Sequence, residues 1–371
     1  MKKVLVTGSR GFIGKNLEAV LARRDDIQLL HFDSDDDLSS LRTLMPDVEI
    51  IFHLAGVNRP DDDSEFEKQN TGLTSAIVSL IEELGVRPKI IFASSTQATE
   101  NNAYGISKKK AEDVLIDCCG RNNASACIFR LTNVFGKWCK PSYNSVVATF
   151  SHNIAREKEI SISDPNKVLE LIYIDDVIAS FIETMEDDGV TGEVSFIETG
   201  PTNTITLGEL ANKIMDFHEV RRSLSIPDLQ EDFMKNLYAT YLSHLEKSNF
   251  SYMPDMKKDE RGNLAELFKS NHFGQIFVST TNPGVTRGNH YHDTKVEKFC
   301  VLKGEALIRL RHVLNEKIIS HRVSGSEVEV VDIPPGYTHS IENLSDEEMV
   351  VLFWADQIFD SGNPDTYFCE V

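Results

Sequence analysis

Apolar positions recur in two different rhythms along this chain. Up to about residue 217, short β-rich runs (KVLVT, IQLLHF, EIIFHLAG, KIIFAS, ACIFRL) alternate with helically spaced segments, Phe12 to Ala22, Phe66 to Leu84 and Tyr104 to Asp117. Such alternation predicts a parallel, doubly wound α/β sheet of the Rossmann type. The stretch from Arg221 to Tyr252 breaks the rhythm; Phe233, Leu237, Tyr241 and Leu245 keep helical spacing, which predicts a closing helix and a linker. Beyond about residue 253 the runs GQIFVST, EKFCVL, EALIRLRHV, KIISHRV, EVEVVDI and MVVLFWA follow one another with no helix between them. Closely spaced strands of this kind predict an all-β sandwich or small barrel. The division this implies is 1–245 and 246–371.

Length agrees, since 371 residues exceed what one core fills. Charge then narrows the ligands. With 38 basic against 58 acidic residues the formal net charge is −20, which repels nucleic acid and anionic membrane. A phosphate-bearing ligand must therefore be held by local devices. The six cysteines have no CxxC or metal-like spacing, and MKKVLVTGSR carries no apolar signal stretch, so a reduced cytoplasmic protein is expected. No apolar run approaches the roughly 18 residues of a membrane span.

One local device follows the first strand. KVLVT runs into Gly8-Ser-Arg10-Gly11-Phe12-Ile13-Gly14 and then an amphipathic helix. Glycines allow the tight turn, the approach of backbone to a pyrophosphate and close helix packing, and the helix N-terminus offers N–H groups to the anion. Asp33, near the end of the second strand, could accept from a ribose 2′-hydroxyl and favour NAD. Arg10, inside the loop, could pair with a 2′-phosphate and favour NADPH.

The strand KIIFAS leads to Ser95 and then to Tyr104-Gly-Ile-Ser-Lys108. Tyrosine and lysine four apart share one helix face, so the ammonium can lower the cost of ionising the phenol while Ser95 bonds the same substrate oxygen. Beside a nicotinamide that set reduces a carbonyl. Taken with His53-Leu54-Ala55-Gly56, Arg130-Leu-Thr-Asn133-Val-Phe-Gly136 and Tyr173-Ile-Asp175-Asp176-Val177, the first 245 residues or so resemble the extended short-chain dehydrogenase/reductases that act on nucleotide sugars. The resemblance implies Ser95, Tyr104 and Lys108 as the catalytic set, and Gly8, Arg10, Gly11, Phe12, Ile13, Gly14, Asp33, Leu54, Ala55, Gly56 and Asn133 around the cofactor, for which it favours NADPH. Two departures stand out: Tyr104 follows Ser95 by only nine positions, and Thr96-Gln97 replaces the Asp-Glu pair of sugar-nucleotide 4,6-dehydratases. Without that pair ketone reduction is preferred to water elimination.

In the second half, His290 and His292 lie two apart, Glu297 follows, and His339 comes later in PPGYTHSIEN. Alternate residues of a strand face one side, so the two histidines project together. Three imidazoles and a carboxylate suit one divalent ion, Zn²⁺ first, with Fe, Mn or Ni open. His312, His321, Tyr291 and Tyr337 are candidate proton carriers, and Arg221 and Arg222 weak candidates for gripping a pyrophosphate. The spacing matches the two cupin motifs, although Val328 stands where they carry a glycine, and that resemblance implies a double-stranded β-helix barrel.

A nucleotide-sugar reductase joined to a cupin is similar to bifunctional enzymes of capsular polysaccharide synthesis, and stretches such as HLAGVNRP and VVDIPPGYTHSIENL carry the likeness. It implies a UDP-4-keto-2-acetamido-2,6-dideoxy-L-hexose whose C3 is epimerised by the cupin and whose C4 ketone is then reduced with NADPH, for capsule or O-antigen sugars of the N-acetyl-L-fucosamine route. The alternative is a single ketoreductase whose cupin only binds sugar or dimerises. Both families usually form dimers, so a homodimer is expected.

Overall fold

In the computed structural model, which describes residues 1–60, 62–122, 124–187, 192–253, 256–259, 262–265, 275–357 and 362–371, the chain divides into two units. One is Met1–Ser145 with Leu169–Ile205, the other Val146–Val168 with Thr206–Val371.

The first unit is a six-stranded sheet of β1 (Lys2–Thr7), β2 (Ile27–Phe32), β3 (Ile50–His53), β4 (Lys89–Ser95), β5 (Ser125–Leu131) and β6 (Val194–Ile197) in the order β2-β1-β3-β4-β5-β6. Every pairing is parallel. Parallel strands are covered on both faces, which is why Val4, Leu5, Val6, Ile51, Phe52, Ile90 and Ile128 read as unbroken apolar runs and are fully buried. Helices α1 (Phe12–Leu21), α2 (Leu73–Leu84), α3 (Ala103–Asn122) and α4 (Ile174–Glu186) are the main cover, α2 and α3 through Ile77, Ile81, Ala111 and Leu115. Because the strands run one way, the ends of β1, β3 and β4 bring Gly8, Leu54 and Ser95 to the same edge of the sheet, where chain order reverses from β1 to its two neighbours and a ligand crevice opens.

The helix expected over Phe66 to Leu84 is regular only from Leu73, because a widened π turn, Glu67–Gly72, precedes it. That turn carries Asn70 inward, where it accepts from Val57 N at 2.8 Å and donates to Ser107 Oγ at 2.9 Å.

The second unit holds two five-stranded sheets whose assigned pairings are antiparallel, as expected of a cupin barrel. With β7 (Ser251–Tyr252), β8 (Gln275–Thr281), β9 (Thr286–Tyr291), β10 (Glu297–Lys303), β11 (Glu305–His312), β12 (Ile318–Ser324), β13 (Val330–Ile333), β14 (Tyr337–Asn343), β15 (Met349–Ala355) and β16 (Tyr367–Phe368), the orders are β7-β13-β10-β15-β8 and β12-β11-β14-β9-β16. All six expected runs are strands; Gly274, which opens the first, lies outside the described residues. Strands β9 and β14 have polar sequences, TRGNHY and YTHSIEN, because their inner positions carry imidazoles rather than aliphatic groups.

Helices α5 (Leu207–Ser223) and α6 (Asp232–Ser243) belong to this second unit, and Val146–Ile154 packs on both. The Thr206 and Glu209 capping box starts α5. Among the described residues no helix is long and apolar enough to cross a membrane.

Candidate active site and metal centre

At the end of β1 the backbone of Gly8 turns to φ +74°. A Cβ there would come within 2.8 Å of the Ala55 backbone, and one on Gly14 within 2.2 Å of the Gly8 carbonyl oxygen, so both positions need glycine for the loop to fold against α1. The loop is tied to β2 by Asp33, whose carboxylate accepts from Ser9 Oγ at 2.6 Å and from Arg10 N at 3.0 Å. Asp33 is buried behind the loop; the Arg10 side chain, 68% exposed, pairs with Asp35 at 2.6 Å.

From this loop a cleft of about 520 Å³ extends to the catalytic candidates. Gly8, Arg10, Gly11, Phe12, Ile13 and Gly14 line one end, Leu54, Gly56 and Asn133 follow, and Ser95, Tyr104 and Lys108 lie on the same wall. Ala55 and Asp33 are not on it. The lining also holds Lys15 and Lys140 beside Arg10 and Lys108, and no carboxylate among the described residues. In a chain of net charge −20 this is a local reversal of sign. Trp138, Lys140 and Tyr143 line the cleft too, although nothing in their spacing singled them out; Tyr143 Oη accepts from Asn58 N at 3.4 Å.

The short Ser95-to-Tyr104 link is a turn, Thr96–Thr99, then three residues before α3 begins at Ala103. It works only because residue 105 is glycine, since a Cβ there would lie 2.1 Å from the Gln97 carbonyl oxygen. Burial raises the Tyr104 phenol to about 12, with a hydrogen bond from Ser95 opposing. Lys108 Nζ donates to the Ala93 carbonyl at 2.9 Å. Burial takes Lys108 itself down to about 8, against the pull of Glu112. Glu112 is fully buried and accepts from Ser94 Oγ at 2.6 Å and from Arg130 at 2.9 and 2.6 Å. His53 lies beneath the site, bridging Thr7 Oγ1 and Thr74 Oγ1 at 2.8 Å each, and burial, then Lys108, hold it near 3, so it is neutral.

In the barrel, one donor atom each from His290, His292, Glu297 and His339 fall within 4.8 Å of one another. A bulge between Gly288 and His290 twists β9, so His292 projects from just past the strand's end; Glu297 opens β10, and His339 lies directly across from His290 on β14. Nε2 of both His292 and His339 is buried without a well-formed hydrogen bond, 3.3 and 3.4 Å from Glu297 Oε2. Orphaned imidazole nitrogens around one carboxylate are what a divalent ion would satisfy, so the donor set fits the expected metal. Burial, with His339 and His292 beside it, holds His290 near 4, the neutral ligating form. Burial opposes ionisation of Glu297, but His292 and His339 hold its carboxyl well below the usual range.

The four side chains open into a cavity of about 410 Å³ that is also lined by Arg287, Lys295, Phe299, Phe353, Gln357 and Thr366. His312, His321, Tyr291 and Tyr337 are not on its wall; Tyr291 points to the opposite face from its neighbours 290 and 292. Arg221 is no pyrophosphate grip, because it is paired at 2.7 Å with the fully buried Asp332, which also binds Lys298. Exposed Arg222 pairs along its helix with Glu219 at 3.4 Å.

Residues 4–196 match the NAD dependent epimerase/dehydratase family. The chain belongs to that family. Residues 257–367 match the polysaccharide biosynthesis C-terminal domain, so this member of the epimerase/dehydratase family is built like the CapF type. It is 42% identical over 369 residues to the UDP-2-acetamido-2,6-beta-L-arabino-hexul-4-ose reductase of Pseudomonas aeruginosa PA103, covering 100% of this chain and 99% of the relative. Its fold is similar to that of the capsular polysaccharide assembling protein CapF of Staphylococcus aureus, at 39% identity and a TM-score of 0.66 over 100% of both chains. The UDP-glucuronic acid 4-epimerase of Bacillus cereus, solved with NAD, shares the fold over 58% of this chain and 83% of its own, at 19% identity and a TM-score of 0.51.

Proposed function

We propose that this protein is a bifunctional nucleotide-sugar enzyme. Its barrel epimerises C3 of a UDP-4-keto-2-acetamido-2,6-dideoxy-L-hexose, and its Rossmann unit reduces the C4 ketone with NADPH, toward a capsule or O-antigen sugar. The observation that carries the reading is the wall of the first cleft, which runs from the glycine loop to Tyr104, is lined by four cationic side chains and, among the described residues, has no carboxylate. Diphosphates need the cations, and water elimination would need acid/base carboxylates that this wall lacks.

When bound, the dinucleotide supplies the hydride. Tyr104, fully protonated at neutral pH, delivers the proton to the ketone oxygen, and Ser95 donates a hydrogen bond to that same oxygen. Lys108 stabilises the phenolate left behind. The loop amides and Arg10 would hold the cofactor phosphates, Arg10 being the group that would pair with the 2′-phosphate of NADPH. Asp33 orients the loop from behind.

The C3 proton is acidic only while C4 is a ketone, so epimerisation precedes reduction. In the barrel His290, His292, Glu297 and His339 would hold a divalent ion, Zn²⁺ first, which would supply a Lewis acid for the ketone oxygen. The relative from Pseudomonas aeruginosa, named for reduction of a 4-ketohexulose nucleotide, supports the substrate class.

Incubation of the UDP-4-keto sugar with enzyme in ²H₂O without NADPH tests both halves. Deuterium at C3, followed by stoichiometric NADPH oxidation once cofactor is added, is expected. Reduction with no deuterium at C3 would leave the barrel as a binding or dimerisation module; failure to oxidise NADPH would overturn the reductase.

A further inference from the structure

Four consecutive main-chain N–H groups separate the ligand candidates His292 and Glu297, and the C-terminal segment takes three of them with one side chain. The Asp365 carboxylate accepts from Asp293 N at 2.9 Å, Thr294 N at 3.1 Å, Thr294 Oγ1 at 2.8 Å and Lys295 N at 2.9 Å. The fourth, Val296 N, goes to Asp356 Oδ1 at 3.1 Å. The main-chain carbonyl of Asp365 meets His292 Nδ1 at 2.5 Å. A carbonyl only accepts, so Nδ1 carries the proton and Nε2 of the neutral ring is left as the ligating atom. Just beyond, β16 pairs with β9, setting Phe368 opposite His290.

We propose that Asp365 is a positioning residue for the barrel's metal centre: its carbonyl sets the tautomer and plane of His292, and its carboxylate holds the turn that sets Glu297 against that imidazole. The inference rests on the reading that the four side chains bind a divalent ion. Two features separate this arrangement from an ordinary turn cap. One residue reaches both the ligand ring and the backbone leading to the next ligand, and it does so at φ +36°, a left-handed conformation that costs a side-chain-bearing residue energy. Aspartate tolerates that region better than most, and four accepted hydrogen bonds hold it there. Outer-shell groups that orient a ligating histidine in this way typically carry 10- to 100-fold of metal affinity.

Titration of the metal-stripped full-length protein with Co²⁺, read by its d–d absorption and by competition with a chromophoric chelator, tests the role. Asp365→Gly removes the carboxylate while relieving the left-handed backbone, and Asp365→Asn keeps the shape with fewer acceptors. The expected order of affinity is wild type, then Asn, then Gly, with about a 10- to 100-fold loss for Gly and a changed d–d spectrum. A turn cap alone would lower the melting temperatures of metal-free and metal-loaded protein equally and leave Co²⁺ affinity and spectrum untouched, and that result overturns the proposal. Should Asp365→Gly not fold, an unchanged Co²⁺ affinity and spectrum in Asp365→Asn overturns it just as well. If wild type binds Co²⁺ and the variants bind it equally well, the positioning role alone falls; if wild type binds none, the metal centre falls with it.

Discussion

Lys108 Nζ donates to the carbonyl of Ala93 at 2.9 Å, on the strand that ends in Ser95. The cation is thereby fastened to the same β4 end that supplies the serine, and its place relative to Tyr104 is set by one turn of α3 rather than by a direct bond. Burial disfavours the charged form of this ammonium and takes it down to about 8, against the pull of Glu112.

Tyr104→Phe should lower NADPH oxidation with the UDP-4-keto sugar by about 10²- to 10⁴-fold, because the carbonyl oxygen loses its proton donor. Lys108→Ala should do nearly as much. Deuterium uptake at C3 should continue in both. The decrease in absorbance of NADPH measures the first effect, and near wild-type consumption by Tyr104→Phe would sink the assignment.

Reduction should also weaken as pH rises through about 8, since Lys108 then becomes neutral and no longer stabilises the phenolate. A turnover profile that stays flat to alkaline pH in wild type contradicts this role for the lysine charge.

His53 makes acid stability a separate test. Its folded value of about 3 lies below the ordinary 6.5, so the unfolded chain binds more protons between those limits. Stability from this residue is intact above about 6.5 and is lost as pH falls toward 3, by about 1.4 kcal/mol per pH unit. Replacing it by glutamine, which keeps hydrogen bonding to Thr7 and Thr74 without a titrating group, should flatten the slope of urea-unfolding free energy against pH in that window. An unchanged slope argues against a neutral, buried His53.

Arg10→Ala should raise KM for NADPH at least about tenfold while leaving KM for NADH nearly unchanged, a tenfold change being about 1.4 kcal/mol of lost phosphate pairing. Steady-state kinetics with both cofactors decides it. A wild type that prefers NADH tenfold would show that Asp35 and Asp33 keep the guanidinium from a 2′-phosphate.

Elemental analysis of protein purified without added metal should find about one divalent ion per chain, and the His290→Ala/His339→Ala double variant should find almost none. Stripping the ion should lower the barrel's melting temperature, because four ligands from three segments are joined only in the folded state. Full occupancy in the double variant would refute the site.

Much of this architecture was legible in the chain. Strand and helix periods are local properties, so KVLVT, KIIFAS and MVVLFWA announce their state from a few neighbours each, and residues 8 to 14 declare a tight strand-to-helix loop because glycine spacing reflects backbone geometry. The cluster that His290, His292, Glu297 and His339 form was likewise readable from side-chain chemistry at strand spacing. What only the tertiary structure decided depends on residues far apart in sequence. Lys108 is fastened to the carbonyl of Ala93, 15 positions away, and burial is what chiefly raises the Tyr104 phenol. Arg221 looked free for phosphate until Asp332, 111 positions away, took it. Asp365 reaches His292 across 73 positions and carries no mark in its own neighbourhood. Local sequence sets what a segment can form; which buried group meets which, and therefore which charges survive, is set by the packing that brings distant segments together.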